Sequence, residues 1–99
     1  AVRGSMTVGV CTIHLHIPAN HSLKGKRRVL KSLMARVRKD FNVSIAEVDQ
    51  QDAWQAATLG VACVSSDSGY AHGLLTKVIE AISAYRLDAE VLDFEIEIL

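Results

Sequence analysis

An α+β domain with the element order βαββαβ is predicted for this chain by three observations. Residues 7–17 and 92–98 alternate apolar and polar with a period of two, as half-buried strands do. Residues 23–41 and 71–85 instead repeat their apolar side chains at three and four, as amphipathic helices do. Between those helices lie two more strand-like runs, 43–48 and 56–64, separated by the polar turn Asp49-Gln50-Gln51-Asp52. Two βαβ halves joined by a hairpin give the ferredoxin-like plan: a four-stranded antiparallel sheet of order 4-1-3-2 with two helices on one face.

In the first strand Cys11, Ile13, Leu15 and Ile17 share one face, Thr12, His14 and His16 the other, and Pro18 ends the run. Ser22 is placed to cap the helix carrying Leu23, Leu30, Leu33, Met34, Val37 and Phe41. Asn42 breaks that helix, and the β-branched residues after it favour a strand. The run 56–64 is nearly continuous in small and apolar residues, as a central strand covered on both faces should be. Ser65-Ser66-Asp67-Ser68-Gly69 reads as a loop with a cap for the second helix, whose apolar positions are Ala71, Leu75, Val78, Ile82 and Tyr85. In the last strand Leu92, Phe94, Ile96 and Ile98 alternate with Asp93, Glu95 and Glu97. With both helices on one face, the other face is left to water or a partner, and its middle reads as apolar.

Ninety-nine residues support one domain, and 49% hydrophobic with 22% charged residues suits a folded core rather than disorder. Residues 1–5 read as an expression-tag remnant and 6–99 as the single domain. The apolar run 6–17 is too short to cross a bilayer and is interrupted by Thr12, His14 and His16. A cytoplasmic protein without a membrane partner is therefore expected. Cys11 and Cys63 lack the spacing of zinc or redox motifs and read as buried free thiols.

The zero net charge conceals an asymmetry. Residues 1–39 hold nine Lys and Arg and no acid, whereas residues 40–99 hold two against eleven. Patches of each sign can therefore act on partners. Lys24, Arg28, Lys31, Arg38 and Lys39 form one stripe at about 100° per residue, a footprint suited to a phosphate backbone bound by charge neutralisation. Lys24, Lys26, Arg27 and Arg28 crowd the first turns, where the helix dipole disfavours cations by about 0.3 to 1 kcal/mol each. An anion held there by Ser22, Lys24, Lys26, Arg27, Arg28 and Lys31 would offset that repulsion. The competing reading is an ordinary solvated helix face or an acidic neighbour within the chain.

His14 and His16 with Glu95 or Glu97 on the neighbouring strand form a weak metal-site candidate, for which surface pairing is the simpler account. No metal or cofactor is expected. The serines lack a nucleophile-elbow context and no Gly-rich phosphate loop follows a strand, so the sequence does not support an enzyme. Thr58-Leu59-Gly60-Val61-Ala62 lacks the base-stacking aromatics of an RNA recognition motif, so RNA contact falls to the helix. Trp54 reads as a packing anchor or, less simply, as a ligand platform.

Ser22-Leu23-Lys24-Gly25-Lys26-Arg27, Phe41-Asn42-Val43-Ser44, Glu47-Val48-Asp49, Trp54-Gln55, Leu59-Gly60-Val61-Ala62 and the closing Glu95-Ile96-Glu97-Ile98-Leu99 resemble YlxP-like bacterial proteins over residues 6–99. Gly25 departs from the pattern, standing where an acidic residue would complete a capping box. The resemblance implies a ferredoxin-like fold and no known activity. Members of that family are often encoded near ribosome-maturation and translation-initiation factors, which implies RNA or ribosome association but no catalytic residues. The expected function is thus a small binding module for RNA or a ribosomal particle through its basic helix. A homodimer through the open sheet face or a sheet edge is the alternative, and a metal-dependent enzyme the weakest.

Overall fold

Alternation in the first strand, β1 (Thr7–His16), sorts its side chains: Cys11, Ile13 and Leu15 are buried, whereas Val10, Thr12, His14 and His16 are half-buried on the opposite face. The computed structural model describes residues 4–18, 20–85 and 88–99. Residues 1–3 of the segment read as a tag remnant lie outside that range. After β1 come α1 (Leu23–Asp40), β2 (Ser44–Asp49), β3 (Ala56–Ser65), α2 (Ser68–Ala84) and β4 (Glu90–Ile98), the βαββαβ order.

The sheet runs β2-β3-β1-β4 with every pair antiparallel, which is the 4-1-3-2 order read from the other end. Its helix-facing side is built from Cys11, Ile13 and Leu15 opposite Val61, Leu59 and Ala57. Leu30, Leu33 and Val37 of α1 and Ala71, Leu75, Val78, Ile79 and Ile82 of α2 close over them as one buried core. Gly9 lets α2 come close, since a Cβ there would lie 3.0 Å from Leu75 Cδ1 and 3.2 Å from Cys63 Sγ. No helix among the described residues is long and apolar enough to cross a membrane.

Two bulges adjust the open face. In β2 the register shifts between Glu47 and Asp49, leaving Val48 as the extra residue, packed over Gly60 and otherwise exposed. In β4 Asp93 faces His14 and Val91 faces Leu15, so Leu92 is extra and exposed. Simple alternation puts Leu92 on the core face. The bulge gives that place to Val91, which packs against the core with Ile96 and Ile98.

Candidate nucleic-acid interface

Ser22 begins α1 with extended backbone, and its hydroxyl oxygen accepts the Gly25 N–H at 2.9 Å, leaving its own O–H free to donate. Asn20 braces this turn: its side-chain amide donates to the carbonyls of Ser22 and Trp54. Gln55 completes the clasp by donating to the carbonyls of Pro18, at 3.2 Å, and Asn20, at 2.9 Å. A Cβ on Gly25 would overlap Asn20 Oδ1. Glycine at the expected capping-box position thus reflects a collision: a glutamate cannot stand there while Asn20 holds the loop.

Lys26 departs from the exposed set proposed from the sequence. It is only 1% exposed, and its ammonium lies 2.8 Å from the Gln50 carbonyl, 3.1 Å from that of Ala56 and 3.3 Å from that of Gln51. Glu47 Oε2, which no other donor reaches, stands 2.8 Å away. The three N–H groups are shared among these acceptors, so the turn between β2 and β3 is wrapped around one cation. Gln50 takes a left-handed conformation there (φ 60), unusual for a residue with a Cβ, and is held on both sides. Its carbonyl takes Lys26 and its Oε1 accepts from Thr58 Oγ1 at 2.8 Å. Lys26 is a structural pin and is not available to a ligand. Its spacing with Leu30, Leu33 and Val37 on the buried arc was a readable sign of this.

Lys24, Arg27, Arg28 and Lys31 are exposed, as Lys39 is farther along. Around the helix, Lys24, Arg28 and Lys31 stand opposite the buried Leu30, Leu33 and Val37, and no acidic residue occupies the first turn. Arg28 also borders a small cleft of about 210 Å³ with Asn20, Gly25 and Asp88. Arg38 is partly committed, donating to the Ile45 carbonyl at 2.9 Å. Arg36 stacks 4.2 Å over the Tyr85 ring, and the Tyr85 hydroxyl donates to Asp40 at 3.1 Å. Burial and then the Asp40 contact push the Tyr85 hydroxyl above its ordinary range, Arg36 acting the other way.

Trp54 lies in the turn before β3 and is 54% exposed, so it is not the packing anchor expected. The Asn20 bond to its carbonyl fixes its backbone beside the start of α1. The loop that carries the exposed indole is thus tied by Asn20 and Gln55 to the loop that leads into α1, the helix that carries the exposed cations. Nothing in the residue pattern announced the clasp, which joins positions more than thirty residues apart.

On the open face His14 Nδ1 lies 3.2 Å from Thr58 Oγ1, and its Nε2 is 3.8 Å from Asp93. His16 Nδ1 is 3.8 Å from Glu90. The regular register sets Asp93 opposite His14 and the Leu92 bulge sets Glu90 opposite His16, whereas Glu95 and Glu97 stand opposite Thr12 and Val10. His14, His16, Glu95 and Glu97 therefore do not converge. No group of three or more His, Cys, Asp or Glu among the described residues is arranged to hold a metal ion. His21 and His72 are exposed and belong to no cluster. Cys11 and Cys63 are buried free thiols, and burial pushes the Cys11 thiol up to about 11.

The designed protein Foldit4 superposes with a TM-score of 0.54 over 95% of this chain and 96% of its own, at 13% identity, a likeness of fold alone. The designed Ferredog-Diesel gives 0.46 over 98% and 88%, at 15% identity. The uncharacterized protein YlxP of Bacillus subtilis (strain 168) is 44% identical over 64 residues, covering 65% of this chain and 70% of that protein. Residues 8–96 match the family described as "protein of unknown function (DUF503)". The chain belongs to the DUF503 family.

Proposed function

We propose that this domain binds RNA, free or within a ribosomal particle, along the exposed basic face of α1. The observation that carries the reading is the pairing of Lys24, Arg27, Arg28 and Lys31 with the exposed Trp54 on a braced loop beside the same helix start. The cations suit successive phosphates, and the indole offers a surface on which an unpaired base can stack. Lys26 contributes by holding the turn, and Ser22 by its free O–H.

Titration of a fluorescent structured RNA at several salt concentrations tests this. With about four phosphates neutralised, log K should fall with log salt at a slope of about −3 to −4. Exchanging Lys24 and Arg28 for Gln should flatten the slope by about two, and Trp54→Ala should weaken binding to an unpaired strand by about 1 to 3 kcal/mol. No binding at low salt, or an unchanged slope in the double variant, rejects the site.

A second reading, a homodimer through the open sheet face, is favoured by its middle, where Val10, Ala46, Val48, Gly60 and Ala62 border an open, largely apolar depression. Light scattering over a concentration series decides it. A strictly monomeric protein at tens of micromolar removes it.

A further inference from the structure

β4 is an outer strand of the sheet, hydrogen-bonded to β1 on one side and to nothing in the described chain on the other. The Leu99 N–H donates to the Val8 carbonyl at 2.8 Å, which sets the phase of the antiparallel ladder. By that phase Glu97, Glu95 and Asp93 turn their backbone groups toward β1, and Ile98, Ile96 and Phe94 turn theirs to the free edge. Past the bulge at Leu92 this edge is regular and carries neither Lys nor Pro, the residues that commonly blunt such edges. The other outer strand, β2, is only six residues long and is broken by its bulge at Val48.

The two sides of the β4 edge differ in chemistry. On the helix side Phe94 is 50% exposed and borders a mainly apolar groove of about 440 Å³, shared with Thr76, Ile79 and Ala84 of α2. On the open side stand Asp93, Glu95 and Glu97, of which Glu95 and Glu97 make no ion pair among the described residues. A strand added here would meet carboxylates with one set of alternate side chains and an apolar groove with the other.

We propose that β4 takes up an extended segment of another protein in which Lys or Arg alternates with apolar residues, adding it as a fifth strand. Its cations would face Glu95 and Glu97 at the closer, non-hydrogen-bonded positions of the ladder, and its apolar residues would enter the groove beside Phe94. A second copy of this chain does not fit. None of the four strands among the described residues contains Lys or Arg, and pairing β4 with another β4 sets carboxylate against carboxylate. The occupant is therefore a basic partner strand, at a surface separate from the α1 face proposed for RNA.

Fluorescence anisotropy with a labelled nine-residue peptide of alternating Lys and Val tests the proposal, beside three control peptides: Glu in place of Lys, the same composition without alternation, and N-methyl groups on the amides that would enter the ladder. The alternating peptide should bind and the controls should not. Glu95→Lys with Glu97→Lys should weaken binding at least about tenfold, as two cross-strand attractions become repulsions. Phe94→Ala should weaken it with both carboxylates in place, circular dichroism melts showing that each variant folds. In amide hydrogen exchange the peptide should slow Phe94, Ile96 and Ile98. Equal binding of the N-methylated peptide would show charge attraction without strand addition and overturn the proposal. So would those three amides being protected in the protein alone and losing that protection on dilution, because a second copy would then cover the edge.

Discussion

Lys26 Nζ stands 2.8 Å from Glu47 Oε2 in the interior, the lysine side chain 1% and the glutamate 18% exposed, with three backbone carbonyls completing the ammonium's surroundings. The two partners are not equivalent. Removing the ammonium strands a carboxylate and takes the donor from the carbonyls of Gln51 and Ala56, while that of Gln50 keeps only the Ala53 N–H. Lys26→Met should therefore cost about 3 to 5 kcal/mol in urea unfolding. Glu47→Gln keeps the carbonyls satisfied and should cost about 1 to 2 kcal/mol. A Lys26→Met variant within 1 kcal/mol of the parent would show that the turn does not depend on the cation.

The strand and helix alternations made the fold legible, because each element buries one face and the period survives in the residues. The same logic reaches Lys26, whose place in the series with Leu30, Leu33 and Val37 marks it as buried, although its charge suggests a surface role. It does not reach the Asn20–Trp54–Gln55 clasp, whose bonds link residues distant in the chain through backbone carbonyls that carry no residue identity. Nor does it reach the bulges. One extra residue reverses the faces on one side of it, and nothing in Val91-Leu92-Asp93 names the residue that will be extra.

Gly25 and Asn20 form a second testable pair. Replacing glycine by alanine within a helix usually stabilises it by about 1 kcal/mol. Here the new Cβ meets Asn20 Oδ1, and Asn20 cannot move without giving up its bonds to Ser22 and Trp54. Gly25→Ala should thus destabilise the protein by about 1 to 3 kcal/mol. In an Asn20→Ala background the collision is gone, and the same change should be neutral or stabilising. A double-mutant cycle by thermal or urea unfolding reads the coupling, and additive effects would contradict the contact.

Stability should fall as the pH rises through the alkaline range. The Cys11 thiol, which ordinarily ionises near 9.0, is pushed up to about 11 by burial. Between these values the unfolded chain has released its proton and the folded chain has not, so unfolding releases a proton and higher pH favours it. The loss for this group is on the order of 2 kcal/mol once pH 11 is passed. Tyr85 acts in the same direction, since burial and Asp40 both raise it. Urea midpoints measured from pH 8 to 11 should decline in the parent and decline less in Cys11→Ala. Below pH 9 the folded thiol should also react slowly with maleimide and the denatured one readily. Flat midpoints across the range would show that Cys11 ionises as easily folded as unfolded.

The bulge in β4 yields a contrast that inverts the simple alternation. Alternation assigns Leu92 to the core with Phe94, Ile96 and Ile98, and Val91 to the outer face. In the ladder Val91 stands opposite Leu15 and packs on the core, whereas Leu92 is exposed and unpaired with β1. Leu92→Gln should therefore change stability by no more than about 0.5 kcal/mol. Val91→Ala removes apolar atoms from a half-buried site and should cost about 0.5 to 1.5 kcal/mol. Deleting Leu92 should leave Asp93 opposite His14 and Glu90 opposite His16, because the remaining residues then alternate without interruption. Nuclear Overhauser contacts between the strands would show whether that register survives, and a shift of Glu90 away from His16 would mean that the extra residue is needed to set it.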